Sequence, residues 1–209
     1  MTYGSGYHSQ LWSSPAAEYL LNRGLKHSTI ERFNLGYVGK PAPGHSRYQG
    51  RLSIPYSDGL GRERGIRYRS LNGSQPKYLS TKGFSHLFAV RATDHPVVFL
   101  AEGEIDTMIL WQLGYRAVGF PGASMWQDHF RFLFRNVEEC VICFDNDEPV
   151  IEDGRRKPNA GQVAAAKIYR SLERSGIVTR AVTLPRGCDV NDAYLELGEK
   201  GLRDLLEAS

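Results

Sequence analysis

The sequence predicts an α/β protein: a parallel sheet flanked by helices, preceded by a smaller basic α+β subdomain. Three observations lead there. From residue 97 onward, strand and helix patterns alternate four times, the rhythm of a parallel sheet covered by helices. Before residue 97, short strands follow one another across tight turns, the rhythm of antiparallel hairpins. Charge divides the chain at the same place. Residues 1–96 carry 13 Lys/Arg against 5 Asp/Glu, a net +8, and residues 97–209 carry 13 against 18, a net −5. The sequence therefore sets the boundary between the two domains at 96/97.

The first half opens with two helices. Ser14 caps the first, Pro15 takes its first position, and Gly24 closes it after Tyr19-Leu20-Leu21. Ser28-Thr29-Ile30-Glu31 has the spacing of a capping box and is expected to open a short second helix. Residues 39–50, rich in Gly and Pro, form a loop. Residues 51–56 alternate as a strand, Ser57-Asp58-Gly59 turns the chain, and residues 62–71 return. Asn72-Gly73 is a second turn, and a further strand begins at Lys77-Tyr78-Leu79.

In the second half, strands are expected at residues 97–101, 115–120, 140–144 and 177–184. Helices fall at 106–113, 126–135, 160–174 and 190–197, several of them closed by glycine: Gly114, Gly176 and Gly198. Trp111 and Trp126 are expected in the core. Residues 148–159 are charged and proline-bearing, and read as an exposed loop.

With 41% hydrophobic residues the chain can bury a core, which excludes wholesale disorder. No stretch approaches the roughly 18 apolar residues of a membrane helix. The polar, glycine-rich start predicts no leader and a cytoplasmic protein with no membrane partner. Three cysteines, Cys140, Cys143 and Cys188, are a poor disulfide framework. Cys140 and Cys143 lie in an apolar run that reads as a buried strand. No second Cys-x-x-Cys or Cys-x-x-His completes a four-ligand site, so no zinc is expected in this chain.

Acidic groups recur just past the ends of three predicted strands. They are Glu102-Gly103-Glu104-Ile105-Asp106, then Asp145-Asn146-Asp147, then Asp189-Val190-Asn191-Asp192. Any one of them is ordinary capping or turn chemistry. Together they matter, because a parallel sheet gathers its strand ends along one edge. Carboxylates crowded there repel one another unless a cation is bound. Magnesium or manganese suits such oxygen ligands and keeps positions open for phosphate oxygens. Gly103, directly after Glu102, lets another group approach the backbone closely. The plain alternative is a run of helix caps.

The basic half carries Arg62, Arg64, Arg67 and Arg69 with Tyr56, Tyr68 and Tyr78 among them. Arg62 and Arg64 have one parity and Arg67 and Arg69 the other, so a bulge or twist is needed to align all four. Cations interleaved with aromatic rings suit single-stranded nucleic acid. A solvated sheet face is the bland reading of any single arginine. His129 beside Asp128 reads as a packing or capping group.

Glu102-Gly103-x-x-Asp106, a strand, a helix, then Asp145-x-Asp147 resembles the Toprim motif. Further residues narrow the resemblance to DnaG-type bacterial and phage primases. These are Tyr19-Leu20-x-x-Arg23-Gly24-Leu25, Phe33-x-Leu35-Gly36-Tyr37, Arg51-Leu52-x-Ile54-Pro55, Gly61-Arg62, Gly65-x-x-x-Arg69 and Lys77-Tyr78-Leu79. Asp128-His129 with Leu133-Phe134, and Asp189-x-Asn191-Asp192, extend it across roughly residues 15–207. The small size points to a phage version. The resemblance implies a Toprim sheet at 97–209 that binds metal and catalyses, and a template- and nucleotide-binding subdomain at 1–96. It implies Glu102, Asp145 and Asp147 as catalytic and metal acids, with Asp189 as a further metal ligand. Asp106, Asn191 and Asp192 would support the site. Arg51, Arg69, Lys77 and Tyr78 would handle template or nucleotide, and Arg67 joins them from the basic strand.

The implied activity is template-directed synthesis of short RNA primers on single-stranded DNA from ribonucleoside triphosphates, with Mg²⁺ or Mn²⁺. A replicative helicase and a separate zinc-binding protein are the implied partners. In the family, Ala-Gly and the next helix follow Asp-x-Asp almost at once; here Ala160-Gly161 follows only after residues 148–159. Two alternatives stay open on the residues alone: a metal-dependent Toprim nuclease, and a non-catalytic nucleic-acid-binding accessory derived from a primase.

Overall fold

The computed structural model describes residues 3–122, 125–146, 150–152, 155–157 and 160–208. The chain divides into two compact units, Met1–His86 and Leu87–Ser209.

In the first unit, helices α1 (Tyr3–His8), α2 (Pro15–Asn22) and α3 (His27–Arg32) accompany an antiparallel sheet. Its strands are β1 (Gly36–Tyr37), β2 (Leu52–Ser57), β3 (Glu63–Arg69) and β4 (Tyr78–Ser80), in the order β1-β2-β3-β4. The start of α2 is as the sequence predicts. Ser14 Oγ accepts from the Ala16 N–H at 3.2 Å, Pro15 lacks the donor that would be orphaned there, and Gly24 takes φ 78° beyond the end. The capping box is not formed. α3 begins two residues earlier than a Ser28 cap requires, behind Lys26, which makes no side-chain cap, and Ser28 lies inside the helix.

Both turns close through side chains. Asp58 Oδ1 accepts from the N–H groups of Leu60 and Arg62, and Asn72 Oδ1 accepts from Ser74. The β2–β3 register shifts where Tyr56 opposes Gly65 and Ser57 opposes Glu63, leaving Arg64 as the extra residue. Beyond this bulge Ile66 and Tyr68 point into the core, and Arg67 and Arg69 stand on the other face.

The second unit holds a four-stranded parallel sheet in the order β10-β7-β5-β6. The strands are β5 (Val97–Ala101), β6 (Ala117–Gly119), β7 (Glu139–Cys143) and β10 (Val178–Ala181). Among the described residues, three α-helices belong to this unit: α4 (Glu104–Gln112), α5 (Ala160–Glu173) and α6 (Val190–Glu207). α6 breaks at Gly198 (φ 70°, ψ 179°), where the sequence places the end of a helix. Val98, Leu100, Ile142, Phe120, Phe134 and Ile168 share one core with Trp126, and Trp111 packs against it.

Residues 128–134 form a 3-10 helix rather than the expected α-helix. The segment is crowded with aromatic side chains, which are weak helix formers, and Phe130 and Phe134 are drawn into the core. The units part ten residues before the boundary set by charge. Phe88 exchanges two backbone hydrogen bonds with Gly119, at 2.7 and 3.0 Å, and Leu87 and Ala92 belong to the second core. Residues 148–159 are not wholly loop. They contain a two-stranded antiparallel hairpin, β8 (Val150–Glu152) and β9 (Arg155–Lys157), separate from the main sheet. No helix among the described residues is long and apolar enough to cross a membrane.

Candidate catalytic carboxylates and basic strand

The parallel register of the second unit explains where its acids fall. Ala101, the last residue of β5, pairs with Cys143, the last of β7. Glu102 therefore leaves β5 at the same level at which Phe144-Asp145 leaves β7. The Asp145 loop is tied to the approach to α6. Asn146 N–H donates to Cys188 O at 3.2 Å, its side-chain amide donates to Leu184 O at 2.6 Å, and Gly187 N–H donates to Asn146 O at 2.9 Å. Two further acids follow. Asp189 caps α6, accepting the Asp192 N–H at 2.7 Å, and buried Asp106 accepts the Asn191 N–H at 2.9 Å.

Asn191 and Asp192 meet these two acids through their backbone N–H groups. Asp106 is 7% exposed. Burial first, then the charge of Asp189 and, more weakly, that of Asp145, push its carboxyl well above the usual carboxylate range; the Asn191 N–H opposes this. Asp106 thus lies within the electrostatic reach of both Asp189 and Asp145. Asp147 lies outside the described residues. Among the described residues no three or more His, Cys, Asp or Glu side chains are grouped to hold a metal ion. The donor chemistry nevertheless fits a hard divalent cation, since the groups present are carboxylates whose mutual repulsion such a charge would relieve.

Two residues that sequence reasoning missed hold the turn carrying these acids. Thr107 Oγ1 donates to Gly103 O at 2.7 Å, and Gly119 at the end of β6 lies against both, at 3.2 Å from Gly103 O to a Cβ placed on it. The signal for Gly119 was a glycine inside an apolar strand, which marks close backbone approach. Gly103 faces a side chain instead: a Cβ there would come to 2.5 Å from Asp106 Oδ2, so the Asp106 carboxylate would have to shift. Cys140 and Cys143 are buried in β7, and burial pushes the Cys140 thiol up to about 12, so both are packing groups.

In the first unit, Tyr78 is the centre of the basic group. Arg67 lies over its ring at 3.9 Å from the centroid, Arg69 at 5.3 Å and Lys77 at 5.9 Å. Arg69 sits opposite Tyr78 in the β3–β4 register and donates to its hydroxyl. Arg69 also lies 5.2 Å from the Tyr19 ring and Arg23 5.8 Å from it, which adds two residues to the group. Their i, i+4 spacing on α2 was the available signal. Arg51 is buried, and its guanidinium donates to Pro76 O at 3.0 Å and Lys77 O at 3.5 Å, in the segment leading into Tyr78. Arg62 pairs with Asp58 at 2.9 Å in the turn.

A parallel sheet with acids beyond adjacent strand ends and a glycine after the first of them defines a Toprim-type unit. A Toprim-like family model matches residues 99–194. The DNA primase of Clostridium acetobutylicum is 25% identical over 234 residues, covering 93% of this chain and 37% of that protein. The Gene 57 protein of Mycobacterium phage D29 is 30% identical over 164 residues, covering 74% of this chain and 97% of that protein. The structure of a DnaG primase catalytic domain bound to ssDNA superposes with a TM-score of 0.76 at 25% identity, over 99% of this chain and 76% of that one. The chain belongs to the DnaG-type primase family. It spans about two fifths of the Clostridium primase, which is a longer protein.

Proposed function

We propose that this chain is the catalytic core of a DNA primase that makes short RNA primers on single-stranded DNA from ribonucleoside triphosphates. The observation that carries the reading is geometric: the Ala101–Cys143 register sets Glu102 and Asp145 at one edge of the parallel sheet, Asn146 ties the Asp145 loop to Cys188 beside Asp189, and Asp106 bonds the Asn191 N–H. A magnesium or manganese ion held by Glu102, Asp145, Asp147 and Asp189 would neutralise charge at the α-phosphate and lower the pKa of the primer 3′-hydroxyl.

The chain's own residues do the positioning. Asp106 holds the first turn of α6 through Asn191 and so sets where Asp189 stands. Arg67, Arg69 and Lys77 offer cations to phosphates or nucleotide, and the Tyr78 ring offers a stacking face. Arg51 orients the Lys77–Tyr78 segment from behind. In this reading the basic unit holds template and nucleotide, and the acidic unit performs nucleotidyl transfer. A replicative helicase and a separate zinc-binding protein are the proposed partners, in the cytoplasm of a bacterial or phage-infected cell.

The test is RNA synthesis on single-stranded DNA with ribonucleotides and Mg²⁺ or Mn²⁺, beside Asp145→Ala/Asp147→Ala. Short RNA made by the parent and lost in the double variant is the expected result. No RNA, even from a pre-primed template, would sink the proposal; cut DNA in the same tube would instead indicate a nuclease.

A further inference from the structure

The hairpin β8–β9 is the feature that the site does not absorb. It lies in the chain between the Asp145-Asn146 loop and α5. Its second strand is Arg155-Arg156-Lys157, three consecutive cations. It joins no other sheet, so it is not needed to complete the fold of the parallel layer. Covalent geometry keeps it near the acids: four residue steps separate Asn146 from Val150, a span of no more than about 14 Å.

The register distributes the charges. Glu152 opposes Arg155, Ile151 opposes Arg156 and Val150 opposes Lys157. Only Arg155 therefore has an acid as its direct cross-strand neighbour, while Arg156 and Lys157 oppose apolar residues. A strand alternates its faces, so Arg155 and Lys157 share one face with a rise of about 6.8 Å between them. That separation resembles the spacing of successive phosphates along an extended single strand. It is much wider than the spacing of phosphorus atoms within a triphosphate. Arginine suits phosphate through its planar fork of donors.

We propose that β9 is an added phosphate-binding strand, through which Arg155, Arg156 and Lys157 grip the phosphodiester backbone of single-stranded nucleic acid beside the candidate carboxylate site. The proposal rests on the primase reading for the location of that nucleic acid. Its test does not depend on catalysis. Binding of a fluorescein-labelled single-stranded DNA to the full chain is followed by anisotropy over a salt series, without nucleotides or metal. The parent is compared with Arg155→Gln/Arg156→Gln/Lys157→Gln, and circular dichroism verifies the fold of each chain.

Three phosphate contacts contribute about 2 to the slope of log K against log salt for a single strand. The triple variant is expected to lose about that much slope and at least tenfold in affinity at low salt. Glu152→Gln removes the acid directly opposite Arg155, leaving Glu148 and Asp153 in the sequence beside it, and is expected to bind more tightly than the parent, which keeps the proposal testable should the triple variant misfold. Unchanged slope and affinity in a folded triple variant, or no tightening in Glu152→Gln, would overturn the assignment. So would unchanged DNA binding with weakened competition by ATP, which would place the cations on the triphosphate. The primase reading fails separately, if the parent binds DNA yet makes no RNA.

Discussion

Gly119→Ala tests how the acidic turn is held. Gly119 is fixed from two sides, by its register with Ala101 on β5 and by its two hydrogen bonds with Phe88. An added methyl would collide with Thr107 Oγ1 and approach Gly103 O to 3.2 Å and Phe88 Cβ to 3.3 Å. None of these atoms is the far end of a flexible chain, and Thr107 is fully buried. The overpacking should cost about 1–3 kcal/mol. Thr107→Ala alone removes the hydroxyl and its bond to Gly103 O, a loss of about 1 kcal/mol. In the double variant the new methyl occupies the space of the lost hydroxyl, so the two costs should not add. Urea unfolding of the four chains gives the coupling energy, expected at about 1–2 kcal/mol in favour of the double variant. RNA synthesis should fall in Gly119→Ala and recover in part in the double variant, because Gly103 lies between Glu102 and Asp106. Additivity within about 0.5 kcal/mol, or a neutral Gly119→Ala, would refute the close-approach argument.

Three further outcomes follow from the same geometry. The raised native carboxyl of Asp106 binds a proton that the unfolded chain releases above about pH 3.9, so the metal-free protein loses stability as pH rises from there toward the raised value, by at most about 1.4 kcal/mol per pH unit. Asp106→Asn keeps an oxygen for the Asn191 N–H and should flatten that slope in thermal melts run in EDTA; an unchanged slope would assign it to other groups. Asp189→Asn keeps an N-cap oxygen for α6 and removes a charge, so it should raise the melting temperature in EDTA and shrink the stabilisation given by Mg²⁺. Arg51→Ala removes the guanidinium bond to Pro76 O, while Lys77 O keeps the Ser70 N–H, and should cost about 1–2 kcal/mol together with weaker DNA binding; weaker binding at full stability would mean direct contact instead.

Much of this was legible in the residues. The Ser14-Pro15 start and Gly24 stop of α2, the Asp58 and Asn72 turns and the break at Gly198 are local chemistry, decided within a few residues. A bulge or twist was the condition for four arginines to share a face; a bulge lies at Arg64, while Arg62 stays in the turn with Asp58. What escaped depends on distant neighbours. The capping box at Ser28 failed because the helix began at His27. Residues 128–134 tightened because their phenylalanines serve a core built elsewhere. Arg51 had the composition of a surface cation, and only the return of residues 76–77 past β2 turned it inward. Gly119 and Thr107 meet through packing of α4 on β6, which no spacing in the sequence announces.

The acids also show why capping and catalysis are not competing accounts. Asp189 does cap α6, as the plain alternative supposed. A serine or asparagine would cap equally well, however, and would carry no charge. Asp106 sharpens the point. Its oxygen secures the Asn191 N–H, a task an asparagine could perform without titrating. Burying an ionisable carboxyl against the charges of Asp189 and Asp145 costs stability in the empty protein. The same arrangement gains when a cation enters, because each carboxylate then contributes attraction where it had contributed repulsion. In the proposed reading the capping bonds fix Asp106 and Asp189 in place, and repulsion among the fixed acids would favour metal uptake.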